Sequence, residues 1–178
     1  MEVNELPLPG LKRVRPRLFN DERGYFLELL HTARYAESGL PATFVQDNLS
    51  CSRKGVLRGL HYQLPRAQGK LVTVVLGEIF DVALDLRRSS PTFGQWHGEL
   101  LSDKDHTQMY IPEGFAHGLC VLSDVAYVHY KCTDLYDPTA EQTILATDPG
   151  LAITWPVEKL ILSKKDAAGR LFKDAVLP

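Results

Sequence analysis

Cysteine is scarce in this chain. Cys51, Cys120 and Cys132 are the only three, and none sits in a C-x-x-C pair. That leaves out zinc knuckles and thioredoxin-type redox motifs. An odd, sparse set points instead to reduced thiols in a cytoplasmic protein. No run of about 18 apolar residues occurs, so no membrane-spanning helix is expected. The opening MEVNELPLPG lacks a basic region followed by an apolar stretch, so no signal peptide is expected either. Basic charge is not in excess: the formal net charge is -2, and the pairs Lys12-Arg13 and Lys164-Lys165 are too short to build a basic face. Nucleic acid is therefore not an expected partner. Internal repeats and low-complexity segments are absent, and helical patterning is confined to residues 31–38 and a stretch near 164–172.

What remains reads as one soluble domain over residues 1–178, with 44% hydrophobic and 24% charged residues. A chain of this length buries roughly 70% of its unfolded surface, enough to hold a core without disulfide or metal. Short apolar runs rich in Val, Ile, Tyr and Phe recur, as in residues 70–87, 107–122 and 125–136. Gly77 splits the first, and Pro112 with Gly114 splits the second. Many short strands in one domain predict an all-β sandwich or barrel, a jelly roll prominent among them. Alternation assigns faces. Phe80, Val82, Leu84 and Leu86 share one, and Asp81, Ala83 and Asp85 the other. Lys70 goes with Val72 and Val74, and Tyr130 with Val128, opposite His129 and Lys131. A barrel with a polar interior would carry Lys70, Asp81 and Tyr130 inward. Arg58 and His61 differ in parity, and Gly59 between them is suited to a bulge that re-aims one of them.

The residues 55–63, GVLRGLHYQ, followed by Lys70, gather unusual chemistry on strand-like sequence. Arginine grips phosphate, histidine moves protons near neutral pH, and lysine stabilises an oxyanion. DERGYFLE (21–28) offers Arg23 and Glu28 beside a turn. FVQDNLS (44–50) offers Gln46 and Asn48, amides with both donors and acceptors. IPEGFAHGL (111–119) is a tight turn with His117 just inside the next strand, and it resembles the second motif of the cupin barrels. Metal-binding cupins usually take a His-x-His pair from their first motif, but here that stretch reads His61-Tyr62-Gln63. A metal site needs three or four convergent ligands. His117 is therefore expected to bind substrate, and no metal is expected. His31, His97, His106 and His129 are expected to be idle. LSKKDA (162–167) alone reads as a solvated face.

In order, DERGYF, FVQDN, GVLRGLHYQ, QGKLV, DLRRSSPTFGQW, IPEGFAHG, a Tyr-Lys pair and LSKKDA closely resemble the dTDP-4-dehydrorhamnose 3,5-epimerase family, over about residues 5–175. The resemblance implies a cupin-type jelly-roll barrel with a few short helices. It implies a homodimer in the cytoplasmic route to dTDP-L-rhamnose, with no metal and no redox cofactor. It places the proton-abstracting histidine on His61, its orienting acid on Asp166, the proton-donating tyrosine on Tyr130 and the enolate-stabilising lysine on Lys70. Substrate contacts fall on Arg23, Glu28, Gln46, Asp47, Asn48, Arg58, His117, Glu141 and Lys165. Two positions depart from the pattern. Many relatives have an aromatic where Leu135 stands and a tryptophan where Ala146 stands. Such an aromatic would stack on the nucleotide base or pack beneath the site, with Tyr136 available to compensate.

The implied substrate is a dTDP-4-keto-6-deoxyhexose, whose C3 and C5 hydrogens both flank a ketone. Removing them needs a positioned base and a stabilised enolate, and inversion needs a proton from the opposite face. Three rivals stay open at this stage. They are an epimerase of C3 or C5 alone, a metal-dependent cupin enzyme, and a non-catalytic sugar-nucleotide binding module.

Overall fold

The computed structural model describes residues 1–178. The chain forms β1 (Glu2–Glu5), β2 (Lys12–Arg15), β3 (Leu18–Asp21), β4 (Gly24–Leu27), helix α1 (Thr32–Glu37), β5 (Gln46–Arg53), β6 (Leu57–Gln63), β7 (Lys70–Leu76) and β8 (Glu78–Asp85). There follow β9 (Trp96–Ser102), β10 (Gln108–Ile111), β11 (Phe115–Val121), β12 (Val125–Cys132), β13 (Glu141–Thr143), helix α2 (Lys164–Ala167) and a 3-10 turn, Phe172–Asp174. Both helices fall where the sequence suggests, the second shorter than expected.

A six-stranded sheet in the order β1-β2-β10-β7-β12-β5 faces a five-stranded sheet in the order β13-β6-β11-β8-β9. This is the jelly-roll sandwich. Its interior is a cluster fed from both sheets: Val72, Val74, Met109 and Val128 from one, Ile79, Ala83, Leu101 and Leu119 from the other. The five-stranded sheet is buried on its outer face as well. There Leu57, Leu60, Val82, Leu84 and Ala116 pack under the C-terminal segment through Ile144, Ala146 and Trp155. Burying side chains of this size contributes about 1.5–3 kcal/mol each, which is how a segment nearly free of regular structure stays down. So the apolar side of β8 lies outward beneath this cover, while Asp81, Ala83 and Asp85 look into the barrel, all fully buried.

The outer face of the six-stranded sheet is covered only in part. Tyr35 from helix α1 and Leu40 just beyond it seal Val14, Leu71 and Tyr110. Beyond it Leu49, Val75, Val125 and Tyr127 stay exposed. Strands β3 and β4 pair only with each other.

Gly59 decides how β6 enters the site. His61 pairs with His117, but Arg58 pairs with Leu119, so β6 carries one extra residue there. Gly59 has φ 127°, and a Cβ on it would meet the Gly118 Cα at 2.5 Å. Only glycine fits such a bulge.

Candidate active site

A cavity of about 360 Å³ opens between the sheets and is lined from both walls. The five-stranded sheet contributes Arg58 and His61 from β6, His117 from β11 and Glu141 from β13. The six-stranded sheet contributes Gln46 and Asn48 from β5, Lys70 from β7, and Tyr130 and Cys132 from β12. Tyr136 and Lys165, both exposed, also line it. The bulge at Gly59 lets Arg58 and His61 share this wall despite their spacing.

His61 is held from behind. Its Nε2 lies 2.6 Å from Asp166 Oδ1. An ionised carboxylate only accepts, so Nε2 carries the proton and donates, and Nδ1 keeps its lone pair. Nδ1 sits 4.0 Å from Glu141 Oε1. The His61 side chain is 30% exposed and that of Asp166 only 6%, so the ring is reachable while its anchor is not. Burial works against the charge on Asp166, but the bonds from His61 and Ser163 outweigh it and hold the carboxyl below its ordinary range. Glu141 behaves alike: burial opposes ionisation, and hydrogen bonds from Lys165 and Tyr136 bring the carboxyl down.

On the opposite wall, burial lowers the Lys70 ammonium below the ordinary lysine range, against the opposing charges of Cys132, Glu141 and Glu113. A buried cation with no hydrogen-bonded counterion is costly to keep, and it is a strong electrostatic resource for an anion that arrives. Burial also raises the Tyr130 phenol, with Cys132 adding to the rise and Arg58 opposing it. A second histidine–aspartate pair lies next to the first: His117 Nε2 is 2.7 Å from Asp81 Oδ1.

Strand parity removes Asp47 from the cavity. It sits between Gln46 and Asn48, so it points outward and pairs with Lys131 at 2.5 Å and His129 at 3.0 Å. Arg23 and Glu28 also lie outside this cavity. Arg23 is on the β3–β4 hairpin and pairs with Asp21, and Glu28 pairs with Arg34. The hairpin hydrogen-bonds to neither barrel sheet, so nothing turns Arg23 toward the chain's own pocket. Ala146 belongs to packing rather than to the nucleotide: it is buried, and its carbonyl accepts from Trp155 Nε1 at 2.9 Å. Leu135 is exposed, while Tyr136 beside it lines the cavity and donates to Glu141 at 2.6 Å. The sequence reading missed Ser50, Gln68 and Cys132 as lining residues. Ser50 shares parity with Asn48, and Cys132 with Tyr130, so alternation alone would have found both. No three His, Cys, Asp or Glu side chains converge as metal ligands.

A jelly roll with an anchored histidine on one wall, and a lysine and a tyrosine on the other, has the parts of an isomerase that works by proton transfer. The sequence profile described as dTDP-4-dehydrorhamnose 3,5-epimerase matches residues 5–174. A dTDP-4-dehydrorhamnose 3,5-epimerase of Pseudomonas aeruginosa is 52% identical over 177 residues, covering 98% of both chains. One of Neisseria gonorrhoeae is 51% identical over 176 residues, and here the chain spans about half (54%) of that relative's length. A crystal structure of the Legionella pneumophila dTDP-6-deoxy-D-glucose-3,5-epimerase, in complex with dTDP-4-keto-L-rhamnose, superposes with TM-score 0.96 at 50% identity, covering 99% of this chain and 97% of that one. The chain belongs to the dTDP-4-dehydrorhamnose 3,5-epimerase family.

Proposed function

We propose that the chain converts dTDP-4-dehydro-6-deoxy-D-glucose to dTDP-4-dehydro-L-rhamnose by inverting C3 and C5, within dTDP-L-rhamnose biosynthesis. The observation that carries this is the placement of His61 and Tyr130 on facing sheets of one cavity. Inversion needs removal of a proton from one face and delivery to the other, and opposed walls supply both. His61 Nδ1 takes the proton from carbon, and the Asp166 carboxylate stabilises the imidazolium that forms. Electrons move into the C4 carbonyl, and Lys70 stabilises the resulting enolate oxygen. Tyr130 returns a proton to the opposite face. Both carbons flank one ketone, so a single set of residues serves both after the ring turns over.

Arg58 and Lys165 neutralise the diphosphate, Gln46 and Asn48 read polar groups, and Tyr136 offers a ring to the base. Anchoring the remote nucleotide supplies binding energy that positions the reacting sugar. Neither a metal nor a redox cofactor takes part in this scheme.

The active form in this reading is a cytoplasmic homodimer. The uncovered apolar strip of Leu49, Val75, Val125 and Tyr127 suits a second copy of the same face. A partner would also give work to the hairpin, which exposes Phe19, Tyr25 and Phe26 and carries Arg23 away from its own cavity. Light scattering should give about twice the chain mass of 20.0 kDa, and a monomer would count against the dimer.

Proton NMR of the substrate in heavy water tests the chemistry. Exchange and inversion at both C3 and C5 are expected. Exchange at one carbon alone would reassign the chain to a single-centre epimerase, and none at either would remove the enzymatic reading.

A further inference from the structure

We propose that Ser163 is a positioning residue for the base, acting through Asp166. The Ser163 hydroxyl makes two bonds to that one residue. It accepts from the Asp166 backbone N–H at 3.0 Å, which caps α2, and it donates to Asp166 Oδ2 at 2.8 Å. The other carboxylate oxygen, Oδ1, takes the proton of His61 Nε2. Asp166 is only 4% exposed, so few waters can reach its carboxylate, although Ser163 itself is exposed. With one oxygen on serine and the other on histidine, the carboxylate cannot rotate without breaking both.

The inference rests on His61 being the base, as argued above. A carboxylate locked on Nε2 keeps the proton there and leaves Nδ1 bare. If the serine donor is removed, Oδ2 becomes an unsatisfied buried oxygen, and the carboxylate gains by turning or shifting to find a partner. Its grip on Nε2 then loosens, and the tautomer with the proton on Nδ1 becomes populated. That tautomer has no lone pair where the substrate proton must go. The neighbouring pair shows what lacking such a residue looks like: Asp81 Oδ2, beside His117, is buried with no partner at all.

Capping and positioning can be separated. Glycine serves as an N-cap almost as well as serine but has no hydroxyl, whereas threonine keeps both bonds. Ser163→Gly should lower kcat by about 10- to 100-fold, the scale of a small misplacement at a reacting centre, with KM changed less than about twofold. The melting temperature should fall by only a few degrees, the cost of one poorly satisfied carboxylate oxygen. In substrate-free protein, the two ring-nitrogen 15N signals of His61 should be well separated in the native chain and drawn together in Ser163→Gly. Ser163→Thr should restore both kcat and the separation. Native kcat with separated signals in Ser163→Gly would overturn the proposal, as would a drop in kcat with the His61 signals unmoved. The 15N measurement needs no turnover. Mixed tautomers in the variant of a chain that never exchanges C3 or C5 protons would therefore sink the epimerase reading and leave the positioning role standing.

Discussion

The two histidine–aspartate pairs differ although His61 and His117 are direct register partners on neighbouring strands. In the first pair every carboxylate oxygen is engaged, and the histidine is partly open to the cavity. In the second, Asp81 has an idle oxygen, and His117 is only 8% exposed. The first is anchored from outside the barrel by α2, the second from inside by β8. A base must present a free nitrogen to substrate and be able to carry charge, and the first pair provides both. The second is better suited to holding a polar group still. The geometry thus favours different roles for two histidines that the residue types alone leave equal.

Putting the same substitution into both pairs sharpens that assignment. Glutamine sets an amide N–H near the place of Nε2, so it can keep the bond to aspartate while removing the ring base. His61→Gln should lower exchange at both C3 and C5 by about 10²–10⁴-fold, the usual worth of a positioned general base. Exchange near the native rate would mean the base is elsewhere.

The facing wall comes next. Lys70→Met should slow exchange at both carbons by about 10²–10³-fold, as expected for losing one oxyanion donor, while dTDP still binds. Its burial also makes a pH prediction. The ammonium is the useful form, and its pKa lies below the ordinary lysine value. Activity should therefore fall as pH rises through that lowered value, earlier than a solvent-exposed lysine would allow. Stability should move the other way, because between the two values the unfolded chain binds the extra proton. A rate profile flat through the alkaline range would argue against an ammonium role.

Tyr130→Phe separates the walls from each other. Abstraction by His61 should survive better than delivery from the far side. The variant should wash solvent deuterium in, largely with retained configuration, while inverted product falls by a larger factor. Parallel losses in one NMR sample would show that Tyr130 is not a distinct second-face acid.

Much of this arrangement is legible in the chain because a strand has period two. Lys70, Tyr130 and Asp81 point inward as alternation requires, and the Gly59 bulge follows from the parity conflict between Arg58 and His61. The same rule, applied to Gln46-Asp47-Asn48, turns Asp47 away from the cavity, although the family resemblance placed a substrate contact there. Pairings across distant sequence are not legible in this way. The contact of His117 with Asp81 depends on β11 lying against β8, and that of Trp155 with Ala146 on how the C-terminal segment folds back. The location of Arg23 depends on a hairpin that pairs with neither sheet.

The smallest effect is expected at His117, and it completes the comparison. His117→Gln removes a ring that lines the cavity but retains a donor for Asp81, so the buried carboxylate is not stranded. Stranding it would be expensive, about 3–5 kcal/mol for a buried pair broken on one side, and would confuse a loss of folding with a loss of function. What disappears is one polar contact to substrate, worth about 0.5–1.5 kcal/mol. KM should rise by up to about tenfold, with kcat changed by less than about threefold. That split marks binding common to ground and transition states, whereas His61→Gln should act on kcat. If His117→Gln instead reduced kcat as far as His61→Gln does, the two pairs would be acting as one catalytic unit. The distinction drawn from the idle oxygen of Asp81 would then fail.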